Sequence, residues 1–298
     1  MSTVKPRRPL VRKAFAALAA LALAPAAQAD VVSAASDAYL ASADLSLTFL
    51  GSQIAGVSLP PQVLAEGTAP APYGDSNGLA SFSQTFGSFA YPTGFPILTG
   101  SALKLQTGIV STTADSNVVG TGPGSTDATS QLASLSLGVL NYSVPFVGSG
   151  SLVSVTASAI TTTAGVTGDY GALVGAGSLS VIDLVVSVAG VDYTYNGTIA
   201  PNTIVDLGAG ITLTLNEQVL GGDGINDASM LTNFLRLSFD DAGVSLGGYG
   251  LLLNGDVVLG HSFAAQTAAV PEPSSVALAG LGVAGLAAAR RARRKPAA

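Results

Sequence analysis

Residues 178–218 read SLSVIDLVVSVAGVDYTYNGTIAPNTIVDLGAGITLTLNEQ. Apolar and small polar residues alternate through most of this stretch, as at Leu179 and Val181, Tyr193 and Tyr195, and Ile211, Leu213 and Leu215. A period of two sends successive side chains to opposite faces of a strand. An amphipathic helix would instead repeat its apolar residues every three or four positions. Val, Ile, Thr and Tyr also fit a pleated surface well. The stretch therefore predicts three strands, over 178–188, 191–199 and 211–220, each with one wet and one buried face.

The same alternation recurs in LSLTFL (45–50), QLASLSLGVL (131–140), SLVSVTASAI (151–160), NFLRLSF (233–239) and DVVLGHSF (256–263). Turn signals fall between them at Asn196-Gly197, Gly221-Gly222-Asp223-Gly224, Gly247-Gly248 and Asn254-Gly255. About ten to twelve strands are expected. The predicted fold class is all-β, an antiparallel β-sandwich. A β-solenoid is the alternative, but no fixed repeat of about 20–30 residues is visible. Two stretches break the pattern. Residues 66–100 are rich in Gly, Pro and Ser, and read as a long loop pinned by Tyr73, Phe82, Phe86, Phe89, Tyr91 and Phe95. Residues 114–130 read as a surface loop.

Hydrophobic residues make up 48% of the 298 and charged ones 10%, which supplies a sizeable core and excludes wholesale disorder. The absence of Cys excludes thiolate catalysis and Cys-ligated zinc. Charge is sharply partitioned. Five basic residues lie between Lys5 and Lys13 and five between Arg290 and Lys295, leaving Lys104 and Arg236 against all eighteen acids in between. A region with that imbalance repels phosphate backbones, so nucleic acid is not an expected partner.

The two ends read as addresses. MSTVKPRRPLVRKAFAALAALALAPAAQAD has a basic start, an apolar run from Ala14 to Ala24, and Ala27-Gln28-Ala29. That is the layout of a signal peptide over 1–29, handled by the Sec translocon and signal peptidase, with cleavage between Ala29 and Asp30. At the other end, residues 274–289 carry no charge and span about 24 Å as a helix, somewhat less than a ~30 Å hydrocarbon core. Arg290, Arg291, Arg293, Arg294 and Lys295 follow, and mark 290–298 as a cytoplasmic basic anchor after a single membrane helix. Val270-Pro271-Glu272-Pro273, then the apolar run, then the Arg-rich end resembles the PEP-CTERM sorting signal of Gram-negative bacteria. The resemblance implies that exosortase, a membrane cysteine transpeptidase, cuts near the triplet and passes the exported domain to a surface acceptor. Prolines suit such a site because they bar regular pairing and leave the chain extended.

The intervening domain, 30–269, carries a second resemblance. VTASAITTTAGVTG (155–168), APNTIVDL followed by TLNEQ, and a closing DVVLGHSFA (256–264) are similar to the choice-of-anchor P family over roughly 131–264. Its members are extracellular domains with different anchoring tails and no assigned activity, so the resemblance supplies no catalytic residues. The FLRL of this chain stands where an Asn-Ala-rich strand is more typical.

Sites for chemistry are sparse. Gly260-His261-Ser262-Phe263-Ala264 imitates a nucleophile elbow. His261, however, is the single histidine and neighbours the serine on a strand, so it points to the opposite face and cannot serve as its base. Asp223, Asn226 and Asp227 offer oxygen donors for calcium, although a Gly-Asp turn explains the same residues. Thr161-Thr162-Thr163 read as ordinary strand threonines. No cofactor is expected apart from that calcium alternative, and no catalytic residues are assigned. The sequence reads as a non-enzymatic protein sorted to the cell surface or matrix, with the membrane, exosortase and exopolysaccharide as expected partners. A carbohydrate- or calcium-binding adhesion module and a hydrolase with a hidden carboxylate pair are the alternatives.

Overall fold

The computed structural model describes residues 30–92, 98–145, 148–188, 190–246 and 249–269, with Gly282, Val283, Gly285, Leu286 and Arg290. Residues Val31–Ala269 form one compact unit. The described residues form fifteen strands: β1 (Asp30–Phe49), β2 (Ser52–Gln62), β3 (Ala65–Ala69), β4 (Tyr73–Leu79), β5 (Phe82–Tyr91), β6 (Leu98–Thr107), β7 (Val110–Ser116), β8 (Gly124–Val144), β9 (Gly148–Gly168), β10 (Val174–Val188), β11 (Val191–Gly197), β12 (Thr203–Gly208), β13 (Ile211–Gly222), β14 (Asp227–Leu246) and β15 (Tyr249–Ala269).

These strands make two antiparallel sheets. One runs β12-β13-β14-β15-β1-β2, with β3 also on β1. The other runs β11-β10-β9-β8-β6-β5, with β7 also on β8 and β4 on β7. β14 and β15 lie across β8, β9 and β10, so the sheets stack face to face as a sandwich. The alternating sequence thus forms two layers rather than the coils of a solenoid. The segment from 131 onward is not self-sufficient, since β1 and β6 continue the sheets that β15 and β8 belong to. Asp37 of β1 meets His261 of β15, and Val31 shares an apolar cluster with Ala268. The chain therefore enters and leaves the sandwich at one end.

A change of phase crosses the molecule at mid-height. In β10 the buried positions are Leu179 and Val181, then Leu184, Val186 and Val188. In β8 they are Ser130 and Leu132, then Leu135, Leu137 and Val139. In β13 Leu215 and Asn216 are both buried, in β14 Phe234 and Leu235, and in β1 Leu40 and Ala41. Ser134, Asp183, Asn216 and Gly260 take the turn with φ of 56°, 54°, 51° and 60°. Registers place these residues opposite one another. Ala133 pairs Ala159, which pairs Ile182, while Asn216 and Phe234 lie between the pairs Leu215–Leu235 and Glu217–Asn233. Because a one-residue slip turns a whole strand over, every strand that crosses this level must slip together.

Two interiors result. A large cluster, with Leu40, Leu47, Leu103, Leu137, Leu213 and Phe234, lies mostly beyond the phase change and reaches back across it to Leu132, Ile160, Leu179 and Val181. Toward the terminal end lies a smaller one, with Val31, Val118, Val166, Leu173, Met230 and six alanines. Ser36, Thr112, Ser116, Thr126, Ser130, Thr162, Thr232, Ser262 and Gln266 are buried on the terminal side of the boundary. They bond mainly to one another and to backbone: Thr162 and Ser262 hydroxyls are 3.1 Å apart, and Gln266 Nε2 donates to Thr126 Oγ1 and Val166 O.

Several sequence readings change. Residues 66–100 hold β3, β4, β5 and the start of β6, not a long loop. Phe89 is nevertheless buried, and Phe82, Phe86 and Tyr91 pack on the large cluster, as pinning residues should; Phe95 lies outside the described residues. Residues 114–130 are mostly β7 and β8. Asn254-Gly255 sits inside β15, where Asn254 exchanges hydrogen bonds with Asp241 and a side chain at Gly255 would meet the carbonyl of Asp44. It is an irregularity in a long strand, not a hairpin turn.

Candidate functional site

A polar array on the outer face of the seven-stranded sheet surrounds His261. β15 places His261 directly opposite Asn233 of β14, and β13 brings Glu217 opposite Asn233 from the other side. His261 Nδ1 donates to Asn233 Oδ1 (2.7 Å), because Asn233 Nδ2 already donates to Glu217 Oε2 (2.7 Å). His261 Nε2 lies 3.2 Å from Asp37 Oδ2. The ring of Tyr39 stacks on the imidazole with centroids 4.3 Å apart. Arg236 bridges Glu217 (3.4 Å) and Asp256 (3.3 Å), and Ser238 Oγ donates to Asp256. Burial raises the Tyr39 phenol, and the hydrogen bond to Asp256 raises Arg236. Both ring nitrogens and one ring face of His261 are thus taken by neighbours from two other strands, β14 and β1. Chemically the array is a cross-strand lock joining β1, β15, β14 and β13.

Ser262 points the other way. It is fully buried between the sheets against Thr162, with Gly260 in the left-handed conformation before it. The elbow-like pentapeptide is therefore a strand at the phase change, and its serine and histidine occupy opposite faces as their spacing predicts.

Asp223 folds back on its own turn. Its Oδ1 accepts the N–H groups of Ile225 (2.7 Å), Asn226 (2.6 Å) and Asp227 (3.3 Å), and its Oδ2 accepts Asn226 Nδ2 (2.6 Å). These bonds hold its carboxyl at about 2, below 3.8, chiefly through the Asn226 N–H. Asp223 and Asn226 thus satisfy each other, and among the described residues no three His, Asp or Glu side chains form a metal-binding group. The APNT and TLNEQ segments also serve local structure. Asn202 exchanges two hydrogen bonds with the Gln218 backbone, Asn216 Nδ2 donates to Ile199 O, and Gln218 Nε2 donates to Asn216.

The outer face of the eight-stranded sheet holds what sequence reading missed. Ser76, Thr113, Thr129, Thr163 and Ser178 are consecutive cross-strand partners over β4, β7, β8, β9 and β10. Thr163 and Ser178 hydroxyls are 2.7 Å apart. Beyond the phase change, Ser83, Gln106, Ser136, Thr156, Val185 and Thr194 form a second row. No single strand shows this order, because it depends on register.

The sorting residues Val270, Pro271, Glu272 and Pro273, the cleavage residues Ala27 and Ala29, and Arg291, Arg293, Arg294 and Lys295 lie outside the described residues, as does most of 274–289. Asp30 opens β1. Among the described residues no helix is long and apolar enough to cross a membrane. Residues 269–294 match the PEP-CTERM protein-sorting motif. The chain carries that motif, which supports export and sorting through exosortase. No curated protein matches the chain. Among solved structures, it is similar to the outer membrane protease OmpT from Escherichia coli at 10% identity over 80% of this chain and 97% of that one. The TM-score is 0.16, too low to carry an argument about fold or function.

Proposed function

We propose that the chain is an exported, non-enzymatic protein of the cell envelope or extracellular matrix. In this reading residues 1–29 are a signal peptide, 30–269 are displayed outside the cell as a β-rich domain whose stretch from about 131 to 264 is of the choice-of-anchor P kind, and 270–298 are the sorting segment. Residues 274–289 hold the membrane until exosortase acts, with 290–298 on the cytoplasmic side. The sorting motif, which begins at the residue where β15 ends, carries the reading. Entry and exit at one end of the sandwich support it, since a domain held there keeps both outer faces free. The filled surroundings of His261 and the buried Ser262 favour a role without catalysis. The test is the intact mass of the protein recovered from its native envelope. A chain from Asp30 to about Pro273 with added mass supports the reading; a chain that runs unbroken to Ala298 overturns it.

The hydroxyl rows on the eight-stranded sheet favour a more specific role as a carbohydrate-binding adhesion module. Closely spaced donors and acceptors in register across the strands match the hydroxyls of an extended glycan. Purified residues 30–269 should pull down with an insoluble polysaccharide panel, and Thr129→Lys with Thr163→Lys should abolish that. Equal retention of both proteins would remove the hydroxyl face from the explanation.

A further inference from the structure

The two interiors are unequal in a way that bears on the sorting segment. The largest fully buried side chains, from Leu40 to Phe234, all belong to the large cluster, which lies mostly far from the termini. The terminal-end cluster has six alanines among its eleven residues. Thr232 Oγ1 and Gln266 Oε1 are buried in that half without a hydrogen-bond partner, so Gln266 holds the strand end only through its Nε2, which donates to Thr126 Oγ1 and Val166 O. The half also has fewer strands. β12 pairs β13 from Ile211 to Leu215, and β11 pairs β10 from Val181 to Val188, so neither reaches the terminal end. Small apolar groups release little free energy on burial, and orphaned polar atoms oppose it.

β15 shows the contrast along one strand. Leu251, Leu253, Val257 and Leu259 anchor its first part in the large cluster. Its last six residues, Ala264-Ala265-Gln266-Thr267-Ala268-Ala269, contain no large apolar side chain and run directly into the sorting motif. We propose that Ala264–Ala269 peels from β14 and β1 as a local unit and supplies slack that presents the sorting segment to its membrane enzyme. This rests on the sorting role proposed above. Six released residues add about 20 Å of extended reach, comparable to much of a bilayer's thickness. The far half of β15 stays paired meanwhile, so the domain remains folded during transfer.

Two measurements on the full chain decide it. Hydrogen exchange should show amides of Ala264–Ala269 exchanging at least tenfold faster than those of Leu251–Leu259. Equal protection along β15 overturns the local unit, whatever happens in sorting. Ser229→Cys with Ala265→Cys then pins the strand end, because these residues are direct cross-strand partners and the chain has no other cysteine. In cells that process the wild-type chain, the oxidised double variant should mature several-fold more slowly and the reduced form normally. Equal maturation of both forms overturns the presentation role. A wild-type chain that is never processed instead defeats the sorting reading, and exchange still decides the local unit.

Discussion

Asp223 shows how one side chain holds a turn together. Its carboxylate accepts three backbone N–H groups and one amide, and sits at about 2 instead of 3.8. The folded state therefore binds this proton less tightly than the unfolded chain. The stabilisation is complete above about pH 4 and is lost as pH falls toward 2. Asp223→Ala should lower the melting temperature at pH 7 and flatten its fall between pH 4 and pH 2, read by thermal melts across that range. Asp183 has a different problem, a left-handed backbone at φ 54° on an exposed position. Asp183→Gly removes that strain along with the exposed bonds from Ser158 and Asn196, so stability should change by no more than about 1 kcal/mol. Asp183→Val, β-branched in the same conformation, should cost about 1–2 kcal/mol; urea midpoints at constant m-value separate the two. The turn at Asp223 was legible in sequence from its Gly and Asp. The left-handed residues at Ser134, Asp183 and Asn216 were not, because none is glycine and each is required by strands distant in the chain.

Strands were legible where the interior is large and apolar. SLSVIDLVVSV and ITLTLNEQVL feed Leu, Val and Ile into the main cluster, and their alternation is visible in the letters alone. Residues 66–100 hid their strands because β4 is exposed on both faces for most of its length and so has no apolar side to see. Residues 114–130 hid theirs because the buried positions are Ala114, Ser116, Thr126, Ala128 and Ser130, small or polar like their exposed neighbours. The array around His261 was illegible for another reason, since its members come from β1, β13, β14 and β15 and meet only through register. Asn233→Ala should leave His261 Nδ1 and Glu217 Oε2 without their partner, Glu217 Oε1 keeping Arg236, and destabilise by about 1–3 kcal/mol, measured by urea unfolding. The phase change makes a sharper demand on its elements. Deleting Asp183 shifts one part of β10 by a residue and turns Leu184, Val186 and Val188, or Leu179 and Val181, toward water. At about 1.5–3 kcal/mol for each large side chain, this approaches the whole stability of a domain. The deletion should yield no cooperative melt, whereas Asp183→Gly at the same site melts cooperatively.

At the scale of the whole molecule, charge opposes folding. Residues 30–269 contain seventeen acids against Lys104 and Arg236, and Arg236 is already shared between Glu217 and Asp256. Bringing so many like charges together raises the energy of the compact state, and dissolved ions screen that repulsion over a Debye length of about 10 Å at 0.1 M. Sodium chloride raised from about 0.01 to about 0.5 M should therefore increase the melting temperature; a flat or falling response would mean that local ion pairs outweigh the net charge. Alkali acts through different groups. Burial raises the phenols of Tyr39, Tyr73 and Tyr195 above 10.0, so the folded protein holds their protons more tightly than the unfolded chain does. That stabilisation is intact below about pH 10 and disappears as pH rises through and beyond it. The three tyrosines lie on β1, β4 and β11, in both sheets, so their ionisation loosens the sandwich as a whole. Unfolding above pH 10 should coincide with the rise in phenolate absorbance, and Tyr39→Phe should shift the loss to higher pH. Salt should delay it too, because each phenolate adds another negative charge to a surface that already carries too many.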